Sequence, residues 1–557
     1  MPEQTKRDKQ NARLSALMTE RSSFVPHWKE LSDYLLPRSG RFFTTDRNSG
    51  TKRHNLIYDS TGTKAVRTLG AGLLGGGSSP ARPWMRLAVP DKDLMKHAPV
   101  KVWLNLVTRA MLDIFQRSNT YRSLHTMYEG LGTFGTTASF MMDDFDRVVH
   151  HYPLPIGEYC LAANYKGDID TIYREFDKTV GALVEEFGLT NCSQTVRNLY
   201  DRGAYDQYVT IIHAVEPRRD RDLRKKDARN MAFSSCYFEK GQNEHKYLRE
   251  SGMRRFRVLA PRWAVTSGSV YGDTCPGMEA LGDVKQLQHQ QIRKAEGIDY
   301  MTRPPLQVPS SMKNRELDRL PGGVSFIDTA APNGGVRTMF DVNLNLQHLL
   351  LDIQDVRQRI REAFYSDLFL MLANDVRSGV TATEIAERHE EKLLMLGPVL
   401  ERVHNELYDP LVEMTFERMV EAGIVPPPPE ELQGQDLNVE YVSMLAQAQR
   451  AVNTTAVDRY VGNLGVIAGM KPNVLDKFDE DKWAESYADM LGVDPELIVA
   501  DDKVAFIRKQ RAEAQAMAQR TAMAEQTATA ANKLGNTPTD NKNALTDVTR
   551  MFSGYTT

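Results

Sequence analysis

Apolar residues repeat at helical spacing over two long stretches near the middle of the chain. In residues 276–302, Leu281, Val284, Leu287, Ile292, Ala295 and Ile298 share one face. Asp273 or Thr274 can cap this helix, Pro276 suits its first turn, and Arg303-Pro304-Pro305 ends it. In residues 342–364, Leu346, Leu349, Leu350, Ile353, Val356, Ile360 and Phe364 make a second stripe. At 1.5 Å of rise per residue each helix is about 35–40 Å long. One such pair makes only a thin core. The pattern therefore predicts that neighbouring copies complete the packing, with Leu346, Leu350, Ile353 and Ile360 as subunit contacts.

The insert at residues 304–340 holds short apolar runs at 306–308 and 322–327 and a turn signal at Asn333-Gly334-Gly335, and reads as small strands joined by tight turns. After the second helix, the apolar run 368–373 leads into Asn374-Asp375-Val376-Arg377-Ser378-Gly379. This reads as a loop with an apolar root and a polar tip. Thr381 with Glu384 forms a capping box opening a further helix, which carries Ile385, Leu393, Leu396, Leu400, Val403, Leu407, Leu411 and Met414 to about Ala422. Pro398 and Pro410 each remove a backbone donor and crowd the preceding turn, so this helix is expected to be kinked.

The flanking regions read as an α+β lobe followed by more helices. Residues 1–36 are helical with a break at Pro26, 37–55 are a polar loop, and 61–74 are a helix running into Gly75-Gly76-Gly77. A short strand at 84–89 precedes amphipathic helices at 99–118 and 121–131. Strands are then expected at 136–142, 148–152, 171–175, 207–215, 231–239 and 254–260, with a helix at 180–187 among them. Beyond the central helices, Pro426 to Pro429 is a stiff extended linker. Helices follow at 444–453, 457–467 and 481–490, then a long alanine-rich one at 502–533, and the last twenty residues read as a polar, disordered tail.

Composition narrows the function classes. The chain has 557 residues, room for several domains, with 41% hydrophobic and 26% charged residues, as in soluble globular proteins. A net charge of −3 argues against a protein that grips nucleic acid, but not against one that lets a duplex slide past. Cys160, Cys192, Cys236 and Cys275 lie far apart with no CxxC pair, as expected of reduced core thiols. The N-terminus lacks a signal-peptide pattern, and no apolar run is long enough for a membrane span.

The motifs that resemble chemistry have simpler readings. The glycines of 70–77 suggest a phosphate cradle, but Gly77 is followed by Ser78-Ser79-Pro80 where a P-loop needs lysine, so the run reads as a helix C-terminal turn. Residues 218–229 hold seven basic and three acidic residues and read as a solvated hairpin tip rather than a nucleic-acid patch. Asp143-Asp144-Phe145-Asp146 matches no calcium loop and reads as a turn. His150-His151 and His389-Glu390-Glu391 lack the H-E-x-x-H spacing. No catalytic, metal or cofactor constellation emerges.

The order of these elements resembles phage portal proteins, in particular the head-to-tail connectors of short-tailed phages. The likeness is carried by Trp28-Lys29-Glu30-Leu31 with Tyr34 to Pro37, Ile57 to Thr61, Leu69 to Leu74, Ser79-Pro80, Trp84 to Leu87, and Ser118-Asn119-x-Tyr121. It continues through Arg262-Trp263, Tyr271-Gly272-Asp273, Thr381-x-x-Glu384, Ala446 to Gln449 and Ile507-Arg508-x-x-Arg511. The resemblance implies an α+β, mainly helical subunit: a wing over 1–275, a descending stem helix over 276–303, a clip over 304–340 and an ascending stem helix over 341–366. A tunnel loop over 367–378, a kinked wing helix over 379–425, a crown over 426–500, a barrel helix over 501–534 and a tail over 535–557 complete it.

It further implies a homo-oligomeric ring of twelve copies at one capsid vertex, without a cofactor and without a membrane. Double-stranded DNA would pass through without sequence-specific binding, with Asn374, Asp375, Arg377 and Ser378 lining the channel. The partners would be the large terminase, a tail adaptor, and the major capsid and scaffolding proteins. A helical scaffolding protein and a multidomain enzyme are the alternatives. A scaffold would lack the α+β lobe, and an enzyme would need a constellation that the sequence does not offer.

Overall fold

A computed structural model describes residues 5–42, 55–91, 94–225, 227–241, 246–266, 268–308, 337–338, 346–374, 396–432, 434, 437–442, 460–469, 471, 473, 478–491, 499 and 501–535. Several expectations lie outside these residues: the strands at 322–327 and turn at 333–335, the Thr381–Glu384 capping box, His389 to Glu391, the helix at 444–453 and the tail. The chain divides into two compact units, Met1–Leu475 and Asp476–Thr557.

The first unit opens with α1 (Lys6–Arg21), where Thr5 and Asp8 form a reciprocal capping box. Pro26 sits in the first turn of α2 (Val25–Tyr34), so the expected break is a helix start. Helix α3 (Thr61–Gly77) then takes in all three glycines of its last turn, longer than the sequence predicts. Strand β1 (Met85–Ala88) and helices α4 (Ala98–Arg117) and α5 (Thr120–Phe134) follow. Trp28, Leu31, Val66, Leu69, Val107, Phe115, Tyr128 and Leu131 make these helices one core.

Residues 138–259 form two antiparallel sheets. Strands β2 (Ala138–Asp144) and β3 (Val148–Leu154) form a hairpin, and the five strands β4 (Tyr159–Ala163), β5 (Ile169–Thr179), β6 (Tyr208–Pro217), β7 (Phe233–Glu239) and β8 (Arg249–Met253) pair in chain order. Strand β9 (Val258–Leu259) returns to pair with β2. Helices α6 (Val180–Phe187) and α7 (Gln194–Asp201) join β5 to β6. Strand alternation puts Ile212 and Ala214 against α1, with Leu14 and Leu17, and turns Ile211 toward α6, with Leu183 and Phe187.

Sequence patterning missed β4 and β8. Tyr-Cys-Leu-Ala-Ala in β4 is covered on both faces and shows no alternation, and β8 is a polar edge strand, while the expected strand at 254–260 shrinks to β9. The acidic turn behaves as a turn. Asp144 Oδ1 accepts the backbone N–H of Asp146 at 2.8 Å and of Arg147 at 3.1 Å, while Asp143 pairs with Arg257 and Arg418. The basic run is an exposed connection between β6 and β7.

The central helices follow. Helix α8 (Pro276–Thr302) spans the predicted residues, and α9 (Leu346–Ala363) runs back along it. Of the insert, β10 (Leu306–Gln307) pairs antiparallel with β11 (Arg337–Thr338). Where a loop was expected after α9, the chain forms another helix, α10 (Ser366–Asn374). Leu-Phe-Leu-Met-Leu-Ala is a strong helix former once Leu368 and Phe369 are buried, which local polarity does not reveal.

Residues 396–403 are helical and run into a π-turn at His404–Tyr408, then α11 (Asp409–Glu421). The Asp409 N–H donates to the His404 carbonyl, five residues back. The wider turn makes room for the Pro410 ring, so the expected irregularity at this proline takes the form of a π-bulge. Strand β12 (Asn438–Tyr441) pairs with β1, so the chain beyond the prolines first returns to the helical core.

In the second unit, α12 (Glu480–Leu491) and α13 (Asp501–Gly535) are joined by a two-pronged ion pair of Arg508 with Asp481 at 2.6 and 2.7 Å. Nearly every described side chain of α13 is exposed. The four cysteines are free and buried, and no helix among the described residues is long and apolar enough to cross a membrane.

Candidate functional site

Pro276 fixes the first turn of α8, Glu279 favours its N-terminus, and Pro304 disfavours helix at Arg303. Along the base of the hairpin, Leu281, Val284 and Leu287 of α8 and Ile353, Val356 and Ile360 of α9 join the main core. Polar links cross the same seam: Arg359 pairs with Asp283 at 3.1 Å, and the Gln290 amide donates to Asp352. Toward the other end the cover stops. Ile298, Tyr300 and Met301 of α8 and Leu350 and Leu351 of α9 are exposed, Leu351 to 62%.

A clamp holds the base of the hairpin to the N-terminal core. The Gln288 side-chain oxygen accepts the backbone N–H of Tyr58 at 2.6 Å and of Asp59 at 2.7 Å, and its amide donates to the Asp59 carbonyl at 3.0 Å. The Asp59 carboxylate accepts from Thr61, from Gln291 at 2.9 Å, and from Arg357 at 2.7 and 3.1 Å. Burial works against its charge, but the Thr61 and Arg357 hydrogen bonds outweigh this and hold the carboxyl below the usual range. A stretch near residue 59 thus fixes both central helices. Its partners on the two helices, Gln288, Gln291 and Arg357, lie more than two hundred residues away, so no local pattern points to the clamp.

The corner between α9 and α10 is tight. Tyr365 adopts φ +53°, a left-handed conformation that a tyrosine takes only when its surroundings hold it. Its ring stacks on Trp263, and its carbonyl accepts the Phe369 N–H at 3.2 Å. Phe369 packs directly on α3 at Gly72, where a Cβ would overlap its ring.

A second buried lock sits at the π-turn. Glu406 accepts from the Arg262 guanidinium at 2.7 and 3.2 Å, from the Arg262 backbone N–H at 2.8 Å, and from Arg402 at 3.0 Å. It ties the helix after residue 396 to the segment just beyond β9, where Arg262 bridges to Thr136. A charged pair this enclosed specifies position more than it adds stability.

The predicted site residues therefore separate. Ile353 is 1% exposed and Ile360 is fully buried, both inside the chain's own core, so these two are not presented to a neighbour. The stripe already finds its partner in α8 and the N-terminal helices. Leu350, 41% exposed, remains available at the surface, and the side chain of Leu346 is not described. Asn374 ends a helix rather than lying on a loop tip, while Asp375, Arg377 and Ser378 lie outside the described residues. Of the apolar root, Leu368 and Phe369 are buried within the chain and Leu370 is half-exposed, and the side chains of residues 371–373 lie outside the description. The exposed Leu351, Tyr300 and Met301 were missed, because the helical stripe alone does not show where cover ends.

Among the described residues no group of three or more His, Cys, Asp or Glu is placed to hold a metal ion. The buried titratable groups serve packing: the Cys275 thiol is pushed up to about 12 by burial, and His213 stacks on Tyr237 with its imidazole acidified by burial.

Known proteins resemble the chain over nearly its whole length. A family model of bacteriophage head to tail connecting proteins matches residues 7–499. The probable portal protein of Bordetella phage BPP-1 is 62% identical over 556 residues, all of both chains. The portal protein of Salmonella phage epsilon15 is 43% identical over 545 residues, 98% of each. A chain of the virion of a native gene transfer agent particle is a distant likeness, 10% identical with a TM-score of 0.35 over 78% of this chain and 90% of its own. By family model and full-length relatives alike, the chain belongs to the bacteriophage head-to-tail connecting proteins, the portal proteins of phage particles.

Proposed function

We propose that copies of this chain close into a ring of twelve through which the phage genome enters the head during packaging and leaves it at ejection. The observation that carries this reading is the α8–α9 hairpin. One end is locked into the core, and the other leaves Tyr300, Met301, Leu350 and Leu351 without cover. A ring supplies the cover by setting hairpins side by side. On this reading residues 276–303 and 341–366 are the stem, 304–340 the clip, 426–500 the crown, and 501–534 a helix that bundles with its copies.

The segment that begins at Asn374 and continues through Asp375, Arg377 and Ser378 would face the channel. One Asp and one Arg per copy leave its tip without net charge, so that phosphates pass without being held. The terminase, the tail adaptor and the capsid and scaffolding proteins are the proposed partners, and the protein's role is structural rather than enzymatic. Electron microscopy and native mass spectrometry of the purified chain test the reading. Closed rings of a single size support it, and a monomer or an open filament at high concentration overturns it.

A further inference from the structure

Two helices begin at one cleft. The N-termini of α3 and α10 open on a hollow of about 720 Å³ whose remaining wall is the end of α9. A helix start presents backbone N–H groups and a partial positive charge, but this is common to all helices and assigns nothing alone. The second observation is Ser366, the first residue of α10 and part of the cleft wall. It is 3% exposed, and its hydroxyl has no hydrogen-bond partner. A buried hydroxyl left unpaired costs about 1–3 kcal/mol, so a group that accepts from it is the expected complement.

The charges around the cleft indicate what that group is. Lys64, one turn into α3, and Arg361, near the end of α9, both line the cleft and are exposed. Neither has a recorded ion-pair partner among the described residues. Arg357 is already committed to Asp59, and Asp367, on the rim, is engaged by the Gln358 amide at 3.1 Å. Three cations thus face two carboxylates, and the two without an acidic partner are those at the mouth. Ser60, at the start of α3, makes no side-chain cap bond, while Asp59 Oδ1 accepts the Thr61 N–H at 2.9 Å, so one donor of this helix start is already taken by a carboxylate.

We propose that this cleft binds a phosphate group, held between the two helix N-termini with Ser366 Oγ donating and Lys64 and Arg361 supplying charge. A tetrahedral oxyanion offers several oxygens at once to donors that converge from three helices. A flat carboxylate reaches fewer of them. The phosphate is either that of a small free compound or that of a DNA backbone. The inference stands on the cleft of a single chain and does not depend on the ring.

The test is titration of the full-length protein with inorganic phosphate at low ionic strength, by calorimetry, for the natural chain and for Arg361→Gln and Ser366→Ala. Phosphate is expected to bind the natural chain. Arg361→Gln should weaken binding about tenfold or more, as loss of a charge-assisted hydrogen bond does. Ser366→Ala should weaken it several-fold while leaving the phosphate-free melting temperature unchanged or higher, since the hydroxyl has no partner to lose. A short fluorescent duplex that is displaced by phosphate identifies the DNA backbone as the source. A duplex that does not compete identifies a small free phosphate compound. Absence of phosphate binding, or binding that both substitutions leave unchanged, overturns the proposal.

Discussion

The hydroxyls of Tyr128 and Tyr408 lie 2.7 Å apart, closed off from solvent, although 280 residues separate them in sequence. Tyr128 also meets Ser78 Oγ at 2.7 Å. The chain of three hydroxyls joins the end of α3, the middle of α5 and the π-turn, and burial pushes the Tyr408 phenol up to about 12. The aromatic body of Tyr408 packs on Trp84. The π-turn is thereby fixed from inside by hydroxyls and from the other side by Arg262.

Tyr128 is the centre of this chain and Tyr408 its end. Tyr408→Phe leaves the Ser78–Tyr128 bond in place and should cost about 1 kcal/mol of unfolding free energy. Tyr128→Phe removes the 2.7 Å partner of two buried hydroxyls at once and, although Ser78 also acts on the Tyr408 phenol, should cost more, about 2–4 kcal/mol. Urea unfolding of the two variants gives the order directly. Equal losses would mean that Ser78 and Tyr408 pair with each other once Tyr128 is gone.

Two glycines of α3, three residues apart, should respond with opposite signs. At Gly72 an added Cβ would overlap the Phe369 ring, so Gly72→Ala must push α10 away and should destabilise by about 1–3 kcal/mol. At Gly75 nothing lies within 4 Å, so Gly75→Ala should stabilise the helix by about 0.5–1 kcal/mol. Thermal unfolding of both variants checks the pair. A loss at Gly75 would show that this face of α3 is covered in the assembled protein.

How much of this was legible in the sequence follows from how local each cause is. Helix α8 was readable to the residue because proline marks its start and its end. Helix α6 was readable because Thr179 caps it and Gly188 closes it. Kinking at Pro410 was readable as a fact but not as a π-turn, since the register shift depends on packing of Leu407 and Tyr408. Helix α10 was misread as a loop, because its burial comes from Gly72, nearly three hundred residues earlier. The same limit applied to the subunit contacts. A stripe of Leu and Ile says that a face is covered, and only the fold says whether the cover is the chain itself or another copy.

Acid should weaken the sheet of β2, β3 and β9 before it affects carboxylates elsewhere. His151, on β3, is buried with no partner for Nε2, and burial, with a smaller effect of the His150 charge, lowers its pKa from 6.5 to about 4. The folded chain therefore keeps this imidazole neutral while the unfolded chain protonates near 6.5. The stability it contributes is complete above pH 6.5 and falls as the pH drops toward 4, by at most about 1.4 kcal/mol per pH unit. His151→Phe, which cannot take the proton, should flatten the dependence in that window. Urea midpoints at pH 7, 5.5 and 4.5 for both chains make the comparison. Parallel curves would assign the acid sensitivity to other groups.

Folding and assembly separate on two faces of a single turn of α9. Ile353 and Leu351 both read as stem residues, yet Ile353 is 1% exposed and Leu351 62%. Ile353→Asp would place a carboxylate in the main core, which also holds Val284, Leu287 and Val356, and should cost several kcal/mol, on the order of 3–5. That is enough to lower helix content and melting temperature in the single chain, whether or not a ring exists. Leu351→Asp changes a surface residue and should leave both within error of the natural chain. If the exposed end of the hairpin is where copies meet, however, each contact in the ring then gains an unpaired charge. Light scattering should show Leu351→Asp as folded subunits or incomplete rings, whereas Ile353→Asp should yield little folded protein. A normal ring from Leu351→Asp would move the subunit contact away from this end of α9.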